Sequence, residues 1–177
     1  MLLRAVAAAI FVSMLPLTPA IGAELVDSEF QVSYQYGGTE QRLSDTRVPL
    51  LPGNVCYTWW MQLAEGPAPQ TAEERLILPA PPADWGSLAS DPDDGVEISA
   101  DGTIATSDFV PEPDGDGWFS KGWCAAEGDP LGLHRIEVSI DGTLLQSFEF
   151  EVVAPEDYPW PVLREPDPHE RSVQGSW

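Results

Sequence analysis

Between positions 26 and 153 the chain consists of short segments in which apolar and polar residues alternate. In the first segment, Phe30, Val32 and Tyr34 are separated by single polar residues. A period of two is typical of a half-buried β-strand, because successive side chains of a strand point to opposite faces. Eight such strands are predicted, at residues 26–36, 55–63, 76–78, 96–100, 103–110, 118–125, 133–140 and 144–153. The pattern therefore predicts an all-β fold.

No helix of useful length competes with these strands. The one candidate, residues 71–78, is closed off by Pro69 and Pro79, and proline ends regular pairing because it lacks an amide donor. Short strands with turn signals every 8 to 12 residues or so are typical of antiparallel sandwiches. We predict one antiparallel β-sandwich of about seven or eight strands over residues 24–153.

Residues 1–23 have the pattern of a secretory signal peptide. Arg4 supplies an early positive charge, residues 5–15 carry no charge, and a stretch of small residues ends at Ala23. The apolar run is shorter than the ~20 residues that span a bilayer, and no later window reaches ~18 apolar residues, so we expect no membrane insertion after cleavage. We expect cleavage after Ala23, with Ala20 as the alternative, and a periplasmic or secreted protein.

The composition is strongly acidic, with 8 Lys and Arg against 29 Asp and Glu and a formal net charge of −21. Loss of Arg4 with the leader leaves 7 − 29 = −22. This charge repels nucleic acid and anionic lipid, and it favours a basic protein as partner. Hydrophobic residues still make up 43% of the chain, so a packed core can form.

Cys56 and Cys124 are the only cysteines of the chain. Because the predicted compartment is oxidising, we predict that they form a disulfide, with two unpaired buried thiols as the alternative. Closing a loop of 124 − 56 = 68 positions would stabilise the fold by roughly 4 kcal/mol in the chain-entropy model. A redox role is not indicated, since no Cys-x-x-Cys motif is present.

Residues 132–136, Gly-Leu-His-Arg-Ile, resemble the Gly/Ala-x-Tyr-x-Cys/Val corner pattern of immunoglobulin-like domains, with His134 in the place of the tyrosine. In such domains a disulfide with a similar spacing often joins the two sheets. Two features depart from the pattern: Cys124 precedes the corner, and Trp59 and Trp60 lie nearer the first cysteine than the usual core tryptophan. The resemblance implies an immunoglobulin-like sandwich and no particular family function.

Residues 97–104 and 137–144 both have the pattern of a hairpin with an Asp-Gly turn. A two-residue turn at Asp141-Gly142 would send the apolar sets of its two strands to opposite faces. We therefore predict a three-residue loop, which sets Val138 opposite Leu144, and the same form in the first hairpin.

Residues 112–117 read Glu-Pro-Asp-Gly-Asp-Gly. Glu112, Asp114 and Asp116 place carboxylates at positions 1, 3 and 5, with Gly at position 6, as a calcium loop requires. Position 12 is Trp123, where a bidentate Glu would normally close the cage. Calcium is therefore a candidate cofactor, and a solvated acidic turn is the alternative.

The strand at residues 55–63 carries apolar side chains on both of its faces. One face must be covered by the proline-rich segment 78–85, by the C-terminal tail or by another molecule, because contiguous exposed apolar patches are uncommon. Aromatic planes flanked by carboxylates stack on sugar rings, as in β-sandwich carbohydrate-binding modules. The candidate ligand-binding residues are Trp59, Trp60, Trp118 and Trp123.

Candidates for catalysis are few. His134 shares the parity of Ile136 and Val138, so we expect it at the buried end of a strand and hydrogen-bonded to the backbone. The only other histidine, His169, lies in a C-terminal segment. No nucleophile elbow, zinc-protease motif or phosphate-binding loop occurs. The sequence therefore does not predict an enzyme.

Residues 154–177 contain five prolines and no alternation, which predicts an extended tail. Its Tyr158, Trp160 and Val162 are expected either to pack on the domain or to dock a partner. Taken together, the sequence predicts an exported, acidic, non-catalytic binding or interaction module. The alternative is a calcium-supported carbohydrate-binding module, so the expected partner is a basic protein or a polysaccharide.

Overall fold

The computed structural model describes residues 22–36, 38–66, 69, 71–86 and 95–160. The predicted signal peptide up to residue 21 and the tail after Trp160, with Val162 and His169, lie outside these ranges. The described residues form two β-sheets and one disulfide, which confirms the predicted β-sandwich. Within these ranges, no helix has the length and hydrophobicity needed to cross a membrane.

Ten strands form within the described part of the chain. They are β1 (Leu25–Tyr36), β2 (Thr39–Ser44), β3 (Arg47–Pro49), β4 (Val55–Leu63), β5 (Ala72–Ile77), β6 (Val96–Ile98), β7 (Ile104–Phe109), β8 (Trp118–Cys124), β9 (Gly132–Ile140) and β10 (Thr143–Val153). The sequence missed β2, which is largely polar and exposed, and β3, which has only three residues. It also missed residues 72–75 of β5, a segment in which the sequence offers only a candidate helix.

The first sheet, sheet A, has the strand order β2-β1-β4-β8, and the second, sheet B, has the order β3-β10-β9-β5-β7-β6. Neighbours in both sheets run antiparallel except β3 and β10, which pair in parallel. Strands β1, β4 and β8 are arranged like strands A, B and E of an immunoglobulin-like domain, and β5, β9 and β10 like strands C, F and G. The sandwich is thus immunoglobulin-like in its arrangement.

The core lies between the inner faces of the two sheets. All five inward residues of β4 are buried: Val55, Tyr57, Trp59, Met61 and Leu63. The Phe30 ring of sheet A stacks on Phe150 of sheet B with centroids 5.0 Å apart. Burial of each of these large apolar side chains stabilises the fold by about 1.5–3 kcal/mol. The packing between the inner faces of the two sheets is therefore the main source of stability.

The disulfide does not join the two sheets, so the arrangement implied by the resemblance is wrong on this point. Cys56 and Cys124 face each other on the adjacent strands β4 and β8, with a Cα–Cα distance of 3.8 Å. Because Cys56 alternates with the inward residues of β4, its side chain lies on the outer face of sheet A. The bond therefore fastens an edge strand to its own sheet.

The predicted three-residue hairpin loop is also wrong. Asp141 and Gly142 both have positive φ angles, 48° and 78°, and Ile140 pairs with Thr143, which defines a two-residue type I′ turn. The register then shifts between Leu144 and Gln146, so that a β-bulge brings the two apolar sets onto one face.

The first hairpin also differs from the prediction. Ile98 pairs with Ala105, and the Ser99 amide donates to the Ile104 carbonyl at 2.9 Å, so its loop has the four residues 100–103.

The beginning of the predicted tail packs on the domain. After a 3-10 turn at Pro155–Asp157, the Tyr158 side chain is buried and its hydroxyl donates to Asp45 Oδ2 at 2.8 Å. The Trp160 ring meets Tyr34 edge to face, with centroids 5.3 Å apart.

Candidate functional site

A cavity of about 250 Å³ opens between the two sheets, at the end where β4 and β9 begin and β5 and β8 end. Its lining combines aromatic, aliphatic and acidic side chains. The lining residues are Tyr57, Leu76, Leu78, Asp84, Trp85, Gly86, Trp123, Cys124, Ala126, Glu127, Asp129 and His134. Three of these are carboxylates and none is Lys or Arg, so the cavity is rich in hydrogen-bond acceptors.

Two loops form the rim of the cavity, one after β5 (residues 83–86) and one after β8 (residues 126–129), and they are hydrogen-bonded to each other. The Ala83 amide donates to the Gly128 carbonyl at 3.0 Å. A Cβ on Gly128 would lie 2.5 Å from the Ala83 Cβ, and the φ angle of Gly128 is +88°, so only glycine fits this contact. The rim is therefore held at a fixed width by a close backbone approach.

The rim carboxylates Asp84 and Asp129 are placed by their own loops. Asp84 Oδ1 accepts from the Gly86 amide at 2.9 Å, and Asp129 Oδ2 accepts from the Ala126 amide at 2.7 Å. Glu127 is exposed between them in the chain. Within the described part of the chain, the second carboxylate oxygen of each aspartate accepts no hydrogen bond, so it can accept one from a ligand.

Trp85 fixes the loop after β5 to the β6–β7 hairpin, since its indole Nε1 donates to the Gly102 carbonyl at 3.0 Å. The ring is half-buried against the core and forms one wall of the cavity. Tyr57 and Trp123, which are paired across β4 and β8, supply further aromatic wall.

His134 lies against the buried part of the cavity, with only 2% of its surface exposed. Its ring stacks on Phe150 with centroids 5.2 Å apart, and its Nδ1 lies 2.9 Å from the Gly132 carbonyl. A carbonyl only accepts, so Nδ1 carries the proton and Nε2 of the neutral ring is an acceptor. Nε2 has no hydrogen-bond partner among the residues that the structure describes. The predicted buried position and backbone bond are both observed.

The electrostatics of the cavity follow from burial and from Asp129. Burial lowers the pKa of His134 below its ordinary value, although the Gly132 carbonyl and the charge of Asp129 partly oppose this. The pKa of Tyr57 is raised, first by burial and then by the negative charges of Asp129 and Glu74. Both side chains are therefore neutral at pH 7 in a site with a negative rim.

Behind Trp123 lies a buried polar cluster that sequence reasoning missed. The fully buried Glu74 carboxylate accepts from the Trp123 indole at 2.8 Å and also from the Trp59 indole. Lys121 Nζ lies 3.2 Å from Glu74 Oε1 and donates to Ser107. The hydrogen bond to Glu74 fixes the orientation of the Trp123 ring, which lines the cavity. The signal of the cluster in the sequence is a charged residue, Glu74, on the apolar parity of its strand between Ala72 and Leu76.

The structure does not bring the four predicted tryptophans together. Trp59 is fully buried and, like Trp123, lies on the inner side of sheet A. Trp60 and Trp118 lie on the outer side, because they alternate with those residues along β4 and β8. Of the proline-rich segment, Leu78 and Trp85 line the cavity between the sheets.

A second, shallower groove of about 370 Å³ lies beside Trp60 and Trp118. Val110 and Glu112 also line it, and Val110 is 64% exposed. The indole nitrogen of Trp60 is shielded from solvent and has no hydrogen-bond partner among the described residues.

The predicted calcium ligands do not form a metal centre. Asp114 Oδ1 accepts from the amides of Asp116 and Trp118, both at 2.9 Å, and so closes an acidic turn. No group of three or more His, Cys, Asp or Glu in the described part of the chain is arranged to hold a metal ion. The three carboxylates, those of Glu112, Asp114 and Asp116, thus have the geometry of the alternative, an exposed turn.

Comparisons with known proteins concern the fold. A family model described as "PM0630 beta sandwich domain" matches residues 28–153. An immunoglobulin-like protein from Pseudomonas aeruginosa aligns with 15% identity and a TM-score of 0.49, covering 77% of this chain and 100% of that chain.

An alkylpurine DNA glycosylase from Pseudomonas fluorescens, bound to DNA containing an abasic site analog, aligns with 13% identity and a TM-score of 0.37. This alignment covers 75% of this chain and 31% of that chain. At these values neither likeness bears on function. No curated protein matches the sequence.

Proposed function

The chain belongs to the PM0630 beta sandwich domain family, and we propose that it is an exported, non-catalytic binding domain that takes a small ligand into the cavity between its sheets. The observation that carries this proposal is His134, a nearly fully buried polar side chain that lines the cavity and leaves Nε2 without a partner in the described chain. Because Nδ1 is engaged by the Gly132 carbonyl, Nε2 is the remaining polar atom of the ring and accepts a hydrogen bond from a ligand or an ordered water in the cavity.

The shape of the cavity supports a small ligand. Binding sites are concave, mostly apolar and provided with a few convergent polar groups, and this cavity has aromatic and aliphatic walls with polar atoms at its rim and at His134. A cavity of about 150 Å³ accommodates benzene. The 250 Å³ here therefore suit a ligand of one ring, or of a short branched chain.

No nucleophile lies beside His134 among the described lining residues, and this favours binding over catalysis. Among the twelve described lining residues none is Ser, Thr or Lys, and the one cysteine, Cys124, is held in the disulfide. A hydrolytic mechanism of the serine or cysteine type requires such a group within hydrogen-bond reach of the base. Export is supported by the predicted leader and by the disulfide, which is typical of oxidising compartments.

The test is a screen of single-ring and short-chain alcohols, amines and carboxylates by ¹H–¹⁵N NMR. Binding in the cavity should shift the indole N–H signals of Trp85 and Trp123 more than that of Trp60. Ala126→Trp, which places a large ring at the cavity mouth, should abolish the shifts, whereas Ala100→Trp on an exposed hairpin should not. If no compound shifts these signals, or if Ala126→Trp binds as well as the wild type, the proposal is wrong.

A second candidate function is polysaccharide binding on the outer face of sheet A. The groove favours it, because the half-buried rings of Trp60 and Trp118 offer apolar surface on which a sugar ring can stack and Glu112 is an acceptor for its hydroxyl groups. Titration with soluble polysaccharides should then quench tryptophan fluorescence. Trp118→Ala should remove that change and Trp160→Ala should keep it; a flat titration would reject this function.

A further inference from the structure

The geometry points to an organic monocation, an amine or ammonium compound, as the ligand of the cavity between the sheets. This inference rests on the proposed binding function and adds the chemical class of the ligand.

The first argument is the sign of the charge around the cavity. Asp84, Glu127 and Asp129 contribute three carboxylates to the lining, and none of the lining residues that the structure describes carries a positive charge. The only lysine of the chain, Lys121, is near Trp123 but is already paired with the buried Glu74. A cation entering the cavity therefore meets uncompensated negative charge, whereas an anion would be repelled.

The second argument is the chemistry of the walls. Tyr57, Trp85 and Trp123 line the same small space, and the faces of such rings attract a cation through their quadrupole. Lys121 already provides an example in this protein, since its Nζ lies 5.7 Å from the centre of the Trp123 ring. Several rings beside carboxylates form the kind of environment that recognises ammonium groups.

The third argument concerns hydrogen bonding. With its Nδ1 proton donated to Gly132, the neutral His134 offers only an acceptor at Nε2. The second carboxylate oxygens of Asp84 and Asp129, which accept no hydrogen bond from the described residues, are acceptors as well. A ligand that carries donors, such as an ammonium or a hydroxyl group, satisfies these atoms, and a ligand that carries only acceptors does not.

The residues that line the cavity also favour an organic cation over a metal ion. A hard metal ion takes six or more oxygen ligands, or a closed set of His, Cys and carboxylate groups, and no such group exists among the described residues. Aromatic faces add nothing to the coordination of such an ion, but they pack well against methyl and methylene groups.

The experiment is calorimetric titration of the full exported domain with choline and with 3,3-dimethyl-1-butanol. The alcohol has the shape of choline, but a neutral carbon replaces the charged nitrogen. We expect choline to bind about tenfold or more tightly than the alcohol, because only the charge differs. Added salt should weaken the binding of choline more than that of the alcohol.

A variant with fewer charges tests whether the rim carboxylates cause the preference for choline. In Asp84→Asn/Glu127→Gln, the asparagine keeps the oxygen that accepts the Gly86 amide, so the loop should be preserved while two charges are lost. Choline should bind about tenfold more weakly to this variant, and the alcohol equally well. The matched control is Glu149→Gln/Glu156→Gln, which removes two exposed charges outside the cavity and should leave both affinities unchanged.

The outcomes separate the two proposals. Equal affinity for choline and its isostere, or binding only of carboxylates and neutral compounds in the NMR screen, would overturn the cation inference and leave the binding function intact. If neither choline nor any compound of the screen binds, both proposals fail.

Discussion

Lys121 on β8 and Glu74 on β5 form an ion pair that links the two sheets, with Nζ 3.2 Å from Oε1. The Glu74 carboxylate is fully buried, while the Lys121 side chain keeps 31% of its surface exposed. A buried charge is tolerated only when it is paired and hydrogen-bonded, so the lysine is what allows a glutamate to occupy the core.

We expect Lys121→Met to lower the free energy of unfolding by about 3 kcal/mol, because it leaves the buried carboxylate without its countercharge. Glu74→Gln should cost much less in the Lys121→Met background than in the wild type, since a neutral amide needs no countercharge. Urea unfolding of the four proteins of this double-mutant cycle measures the coupling. If the losses of unfolding free energy in the two single variants simply add in the double variant, the ion pair between Lys121 and Glu74 does not contribute as we expect.

Loss of the disulfide should weaken the fold without changing it. Cys56→Ala/Cys124→Ala should lower the free energy of unfolding by roughly 4 kcal/mol, because the bond closes a long loop in the unfolded chain. Since Cys124 is exposed on an edge strand, a reductant should reach the bond in the folded state. Thermal unfolding with and without reductant, together with alkylation of the freed thiols, checks both points. Alkylation that occurs only in denaturant would argue against the outer-face position.

His134 should make the protein less stable as the pH falls. Its pKa is lowered by burial in the folded state but stays near 6.5 in the unfolded chain, so between these values the unfolded state binds more protons. The contribution of His134 is fully present above pH 6.5 and is lost as the pH falls toward the folded-state pKa. The free energy of unfolding measured by urea between pH 7.5 and 5.5 should thus decline less in His134→Gln. His169→Gln at the other histidine should keep the wild-type slope, and equal slopes in all three proteins would refute the prediction.

The β9–β10 turn should depend on Gly142. Its φ angle is 78°, where a β-carbon is strained, so Gly142→Ala should cost about 1 kcal/mol. Gly115→Ala is the control, because an added Cβ there meets no atom within 4 Å and the φ angle of Gly115 is not positive. Chemical denaturation of both variants tests this, and equal losses would show that the turn does not need the left-handed conformation.

Alternation along the chain was sufficient to predict the sandwich. The strand with Phe30, Val32 and Tyr34 has its buried residues where the period of two places them. The same parity predicted the buried position of His134, because it depends only on which face of a strand a residue occupies. The pairing of the two cysteines followed from their being the only two in a chain with a predicted leader.

The register of the hairpin could not be read in this way. The sequence correctly indicated that the apolar sets of β9 and β10 share a face, but a bulge at Leu145 meets that requirement as well as a longer loop does. The choice depends on backbone geometry and pairing across the sheet, which side-chain periodicity does not encode.

The features that can be predicted from the sequence are therefore local: the positions of most strands, inward and outward parity, net charge and the presence of one disulfide. Which residues meet across the two sheets depends on how the sheets pack. The fold places Glu74 against Lys121 and the indoles, separates Trp60 from Trp59, and gathers Tyr57, Trp85, Trp123 and His134 around one cavity. This difference arises because side-chain alternation is set within each strand, whereas contacts between sheets arise from packing of segments distant in the chain.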